Sequence, residues 1–331
     1  MRVAIRQWFG AFLVIGILLP GLSPIASAQS SAQSFPTRPV TIVVGFSPGG
    51  GTDITSRLLA QKLSTELGQS ILVVNRAGAS GAIAAEGVAK ATADGYTLLM
   101  VASATLASAA LRPSVPFSLE RDFAPISLVT IAPLVVLLHP SVAARDVKEL
   151  VALARSKPDT ITYGSDGVGS GSHLAGELFS FMSNIKLVHV PFKSGGDSAV
   201  ATASGQILMN FPSVPSSLPL IKAGKFNVLA VTTIKRSSLL PDVPTLDELG
   251  LTGYDLPTWY GLIAPAAVPK NIIGQLHASV SRIVNTAEMK DFINKQGMDA
   301  QGNTPDQFAA FMRAQTAQIT RLGKLSGIKM E

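Results

Sequence analysis

The stretch Val40-Thr41-Ile42-Val43-Val44-Gly45-Phe46-Ser47-Pro48-Gly49-Gly50-Gly51-Thr52-Asp53 passes from a β-branched run into three consecutive glycines and on into a helical pattern. A β-branched run of this length is what a buried strand uses. Beyond the glycines, Ile54, Leu58, Leu59, Leu63 and Leu67 fall on one helical face. A strand, a glycine turn and a helix start together present unpaired backbone N–H groups to an anion. Glycines 49 to 51 lack a Cβ, so a ligand oxygen can approach the main chain closely. Thr52 or Asp53 is expected to cap the helix. A tight βα turn with no ligand is the plainer reading of the same residues.

The same habit recurs downstream. Arg76-Ala77-Gly78-Ala79-Ser80-Gly81 follows the strand pattern of residues 70–75, and Ser103-Ala104-Thr105 ends that of residues 96–102. In the second half, Ser165-Asp166-Gly167-Val168-Gly169-Ser170-Gly171-Ser172-His173 and Lys193-Ser194-Gly195-Gly196 each stand between a strand and a helix pattern. Alternation of strands and helices throughout predicts an α/β fold with mostly parallel sheets and helices on both faces. A short helix is expected over residues 241–249, and residues 254–265 read as a strand returning to the first half. Thr304-Pro305-Asp306-Gln307 predicts a capped start to a long C-terminal helix.

Composition narrows the function. The 331 residues are 47% hydrophobic and 15% charged, which fits one large or two medium globular domains. There is no cysteine, so disulfides, thiolate metal sites and cysteine nucleophiles are excluded. His139, His173, His189 and His277 show no metal-ligand spacing, and neither a metal nor another cofactor is expected. Arg2 and Arg6, an apolar run from Trp8 to Leu19 and Ala26-Ser27-Ala28 read as a signal peptide (1–28) cleaved after Ala28, which predicts export, to the periplasm of a Gram-negative source. The formal charge of +6 falls to +4 without Arg2 and Arg6, and the remaining cations are scattered, so nucleic acid is not an expected partner.

Two enzyme readings compete with binding. Ser170, His173 and Asp166 suggest a hydrolase, but position 168 is Val where a nucleophile elbow needs Gly. A dinucleotide site is disfavoured because the first glycines are contiguous, and Asn75-Arg76 stands where an acidic residue is expected. Lys193 reads as a ligand contact or as a solvated cation, and Asn210 as a strand end facing a cleft. Trp259 and Tyr260 read as a pocket wall or as core.

Residues Pro39–Val44 with Gly49–Asp53, Asn75–Gly81 and Asp94–Leu99 closely resemble the Bug family, the periplasmic solute-binding receptors of tripartite tricarboxylate transporters. The likeness continues through His173–Phe179, Val188–Lys193, Pro241–Thr245 and Tyr260–Pro265, in order along the mature chain. It implies a two-lobed, type II-like periplasmic-binding-protein fold that shuts like a Venus flytrap, with residues 29–133 and 258–331 as domain 1 and 134–257 as domain 2. It implies a monomer that binds a small carboxylate without catalysis and delivers it to the permease subunits of a membrane transporter; a sensor without a transporter is the variant reading. Carried over, the ligand contacts fall on Ser47, Gly49, Gly50, Thr52, Asp53, Ser103 and Thr105 in the first lobe. In the second they fall on Ser165, Ser170, His173, Lys193 and Gly195, with Asn210 added from its strand-end position. Members often carry Gly-Thr at Val101-Ala102, Asn at Ala109 and Asp at Asn210. Asn210 in the cleft would shift preference away from amino acids.

Overall fold

The computed structural model describes residues 35–112 and 114–326. The targeting segment and its cleavage point lie outside them. The glycine stretch behaves as its sequence dictates: β1 (Val40–Val44) is almost wholly buried and α1 (Gly51–Leu67) begins at the third glycine. Leu58, Leu59 and Leu63 point into the core, while Ile54 and Leu67 pack at its margin. After β2 (Ile71–Asn75), α2 (Ala82–Ala89) and β3 (Thr97–Ala102), these crossovers lay three strands parallel in the order β2-β1-β3.

The rest of the first sheet is antiparallel. β4 (Phe123–Ala132) and β10 (Thr258–Pro265) pair antiparallel, and β10 also lies antiparallel beside β3. With β11 (Asp299–Ala300) the order is β11-β4-β10-β3-β1-β2. The second sheet, β7-β6-β8-β5-β9, repeats the plan. Its strands β6 (Thr162–Ser165), β7 (Val188–Pro191) and β8 (Met209–Asn210) are parallel, whereas β5 (Val135–Leu138) is antiparallel to β8 and to β9 (Asn227–Val231). Both sheets are therefore mixed, which corrects the expectation of mostly parallel ones. Alternation detects strands joined by helical crossovers, but β4, β5 and β10 are the strands by which the chain changes sheets, and they run opposite to their neighbours.

The helices of the second sheet are α4 (Val147–Ser156), α5 (Gly171–Ser183), α6 (Gly195–Ala203) and α7 (Val214–Lys222). α8 (Lys270–Val284), α9 (Ala287–Lys295) and α10 (Pro305–Ser326) return to the first. At the start of α10, Thr304 and Gln307 exchange side-chain bonds to each other's backbone N–H at 3.2 and 3.0 Å, the capping box read from the sequence. α3 (Ser103–Leu111) was not foreseen, because it follows β3 with no turn residue between. The helix expected over 241–249 is absent. Thr245 and Glu248 cap each other reciprocally at 3.0 and 3.1 Å, but one turn later Gly250 takes a φ of 99° and ends it.

The chain crosses between sheets twice, and Thr232 ties both crossings together. Its Oγ1 accepts from the Leu134 N–H at 3.0 Å and donates to the Leu256 carbonyl at 2.8 Å. Its own N–H and carbonyl bond Leu134 and Leu256 in turn, at 3.0 and 2.8 Å. The neighbouring core is aromatic: Trp259 is fully buried edge-on to Phe308 and Phe311, at 5.8 and 5.4 Å. Gly261 leaves room for Phe308, whose ring a Cβ there would overlap. The Gly261→Ala variant is expected to lose about 1–3 kcal/mol of stability by overpacking, as a lowered midpoint in urea unfolding.

Candidate functional site

Between the two sheets lies a cavity of about 530 Å³, counted to its open mouth, and helix starts line it. Gly50, Gly51 and Thr52 come from α1, Ala104 from α3, Gly171 and Ser172 from α5, Ser194 and Gly195 from α6, and Ser213 and Ser216 from α7. The first amides of each helix have no intrahelical acceptor, and each start carries partial positive charge. Five helix starts around one small space favour an anion there.

The first glycine turn is held from behind. Gly49 takes a φ of 87°, which favours glycine. Its N–H donates to Asp53 Oδ2 at 3.0 Å; the same oxygen takes Arg57 Nε at 2.9 Å, and Oδ1 takes Asn75 Nδ2 at 2.8 Å. Asn75 Nδ2 also reaches the Phe46 carbonyl at 3.0 Å. Burial works against the Asp53 charge, but the bonds from Arg57, the Gly49 amide and Asn75 outweigh it and hold the carboxyl below its ordinary value. Asp53 thus shapes the turn and does not line the cavity. It is not the expected helix cap either; Gly50 holds that position, with no side-chain bond.

Tyr260, set by its register opposite Ala102 and Thr130, brings its hydroxyl to the cavity wall. Thr258, Ser213 and Thr52 share that wall with it, and burial pushes its pKa up to about 12, so it stays neutral. A Cβ on Gly51 would overlap that hydroxyl. Trp259, one residue earlier, points into the core instead.

In the second sheet the loop after β6 is built by its own side chains. Ser165 Oγ accepts from the Gly167 N–H at 3.2 Å and bonds His189 Nε2 at 2.6 Å. Ser170 caps α5, accepting from the His173 N–H at 3.1 Å, and its hydroxyl lies 2.9 Å from that of Ser172. Ser172 Oγ accepts from the Asp166 N–H at 3.0 Å and donates to the Asp166 carboxylate. His173 Nδ1 accepts from the Gly169 N–H at 2.9 Å. No Ser170–His173 side-chain bond forms and Asp166 orients neither ring, so the hydrolase arrangement is not assembled. The His173 ring stacks on that of His189 at 3.9 Å, and His189 in turn lies against Tyr163 at 5.0 Å. Burial lowers the pKa of His173 to about 4; burial, then the neighbouring His173, lowers that of His189 to about 3. Glu177 stands 3.8 Å from His173 Nε2, but a neutral ring makes no ion pair, and the carboxylate takes the Tyr163 hydroxyl at 2.7 Å.

Of the residues carried over, Ser47, Gly50, Thr52 and Gly195 line the cavity. Lys193 is exposed and lines an outer crevice together with Ser47. Ser103 bonds Thr258 Oγ1 at 3.0 Å, just behind the wall. Gly49, Asp53, Ser165, Ser170 and His173 support the loops, and Thr105 packs under Gly81. Asn210 is not at the cleft. It is fully buried, donating to Ser198 Oγ at 2.9 Å and accepting from the Phe211 N–H at 2.8 Å, so it joins β8 to α6. Phe46, Asp166, Ser172, Ser194, Ser213, Ser216 and Thr258 line the cavity without having been singled out as contacts. Their signal was position, at a strand end or in the loop and first helical turn that follow one.

Residues 55–328 match the family model described as "Tripartite tricarboxylate transporter family receptor". Protein BugT of Bordetella pertussis is 32% identical over 96% of this chain and 98% of its own. A solved structure titled "R. palustris Rpa4515 with adipate" is 33% identical with a TM-score of 0.86, over 89% of this chain and 99% of that one. Another, of MatC from Rhodopseudomonas palustris with bound malate, is 30% identical with a TM-score of 0.82, over 87% and 99%.

The geometry has two consequences. Asp53→Ala is expected to cost about 2–3 kcal/mol of stability, the loss of charge-assisted bonds, and to weaken ligand binding although Asp53 does not line the cavity. Calorimetric titration beside urea unfolding reads both. The histidines make stability depend on pH. Below their ordinary value of 6.5 the unfolded chain takes up protons that the folded chain refuses until about 4 and 3. Stability is therefore full above pH 6.5 and falls toward pH 4, by up to about 1.4 kcal/mol per pH unit for a fully buried ring and less for the half-buried His189. His189→Phe should flatten that slope by up to one proton; an unchanged slope would refute the assignment.

Proposed function

The chain belongs to the family of tripartite tricarboxylate transporter receptors, and on that footing we propose that it is exported to the periplasm, binds one small organic acid between its sheets as a monomer, and presents it to a membrane permease. The observation that carries this reading is the convergence of five helix starts on one cavity. A carboxylate there takes hydrogen bonds from main-chain amides and from the Thr52 and Tyr260 hydroxyls. The ligand contacts of this reading are Ser47, Gly50, Gly51, Thr52, Asp166, Ser172, Ser194, Gly195, Ser213 and Tyr260.

Binding and closure are one event in this mechanism. An anion touching both sheets has more contacts when they are together, so it shifts the population toward the closed form. The chain turns at the crossings near 133/134 and 257/258, where Thr232 holds the two segments side by side as the sheets move. Across the mouth, Ser80 Oγ donates to the Val168 carbonyl at 2.9 Å. Ser80 and Ala79 take φ values of 54° and 49°, and so hold a strained turn out over the cleft. This bond is the latch of the closed form.

Purified protein titrated with dicarboxylates and hydroxy acids should bind at least one tightly and release it chemically unchanged. Consumption of the bound acid would refute the receptor reading. Ser80→Ala should weaken binding about two- to tenfold, the worth of one hydrogen bond, chiefly through faster dissociation in stopped-flow fluorescence.

A further inference from the structure

The wall of the cavity carries one charged side chain, and its sign is that of the expected ligand. Among the described residues that line the space, Asp166 is the only acid, and there is no lysine, arginine or histidine. Lys193 and Arg112 border the outer crevice that Asp166 also touches, but no ion pair among the described residues includes Asp166. Its carboxylate is only half used by the loop. Ser172 Oγ donates to Oδ1, whereas Oδ2 has no donor among the described residues and is not shut off from solvent. Burial first, and the Asp166 charge in addition, raise the pKa of the Tyr260 hydroxyl, so the carboxylate acts on the same space that this hydroxyl borders.

Ser172 is the second residue of α5, so Asp166 already places an anion at that helix start. A ligand carboxylate is left the starts of α1, α3, α6 and α7. There it lies close to Asp166 with no cation of the protein between the two charges, and like charges in a small, water-poor space repel strongly. A positive donor on the ligand itself removes the conflict. We infer that the acid bound here carries an ammonium group beside its carboxylate, with the carboxylate on the helix starts and the ammonium donating to Asp166 Oδ2. This deepens the reading of the cavity as an acid site and rests on it. Asp166 is then the residue that sets specificity. The hydroxyls of Thr52, Ser213, Thr258 and Tyr260 serve donors and acceptors alike and cannot make this distinction. A carboxylate accepts only, and it bonds a cationic donor more strongly than a neutral one. A hydroxy acid therefore ranks between the amino acid and the plain acid.

Calorimetric titration of the purified protein with two matched sets tests this: propionate, lactate and alanine, then succinate, malate and aspartate. In the set that binds, affinity should rise from plain acid to hydroxy acid to amino acid. The last should exceed the first by about tenfold or more, the worth of a hydrogen bond to a charged group. Asp166→Asn should reverse the order, weakening the amino acid by about tenfold and tightening the plain acid by about threefold as the repulsion is removed. Asp166→Glu should keep the wild-type order. A folded Asp166→Asn variant that weakens every member alike would make Asp166 a loop support only and overturn the proposal. So would a wild type that binds the plain acid as tightly as the amino acid, a result that needs no variant and leaves the acid-site reading standing. If no member of either set binds the wild type, that reading falls and this inference with it.

Discussion

Everything in this protein is arranged around unpaired backbone N–H groups at helix starts. A helix cannot satisfy its first amides internally, and α1, α3, α5, α6 and α7 all begin at one cavity. Outward-facing helix starts would be satisfied by water and do nothing. Gathered in one place they form a polar wall with no formal cation, which suits an anion that must be held and then released. Small residues at the starts let the amides reach the ligand: Gly50 and Gly51 on one side, Gly171 and Gly195 on the other.

Such a wall is only as good as the loops behind it, and those loops are fixed by side chains that do not line the cavity. Asp53 gathers the Gly49 amide, Arg57 and Asn75 under the first turn. His173 and His189 do the corresponding work under the second, through Gly169 and Ser165. The supports differ in charge for a physical reason. Asp53 stays ionised because donors surround it. The histidines stay neutral because burial denies them a proton, and His173 Nδ1 accepts a bond only while it carries none.

The two sheets are joined at few places. The chain changes sheets at two crossings, and Thr232 binds them to each other through both its main chain and its hydroxyl. The two passages are therefore held side by side by one residue. Tyr260 sits near that junction, on a cavity wall that it shares with Thr52 of the first sheet and Ser213 of the second.

Most of the strand and helix order, the glycine turns, the capping box at Thr304 and the likeness to a receptor family were legible in the sequence, because each depends on residues close together along the chain; α3 and the missing helix at 241–249 were not. The strand-end habit located the site to within a few residues, and residues such as Ser47, Gly50, Thr52 and Gly195 do line it. Which neighbours face the cavity was not legible. Asp53, His173 and Asn210 look like ligand groups by residue type, yet each is consumed by partners that only packing brings near. Tyr260 and Trp259 are adjacent and read alike, but strand register sends one to the cavity and the other to the core. Sheet direction likewise depended on strands far apart in the chain. Local sequence fixes backbone periodicity and turn chemistry, whereas the direction a side chain points and the partner it finds are set by contacts between distant segments, and these the tertiary structure alone decided.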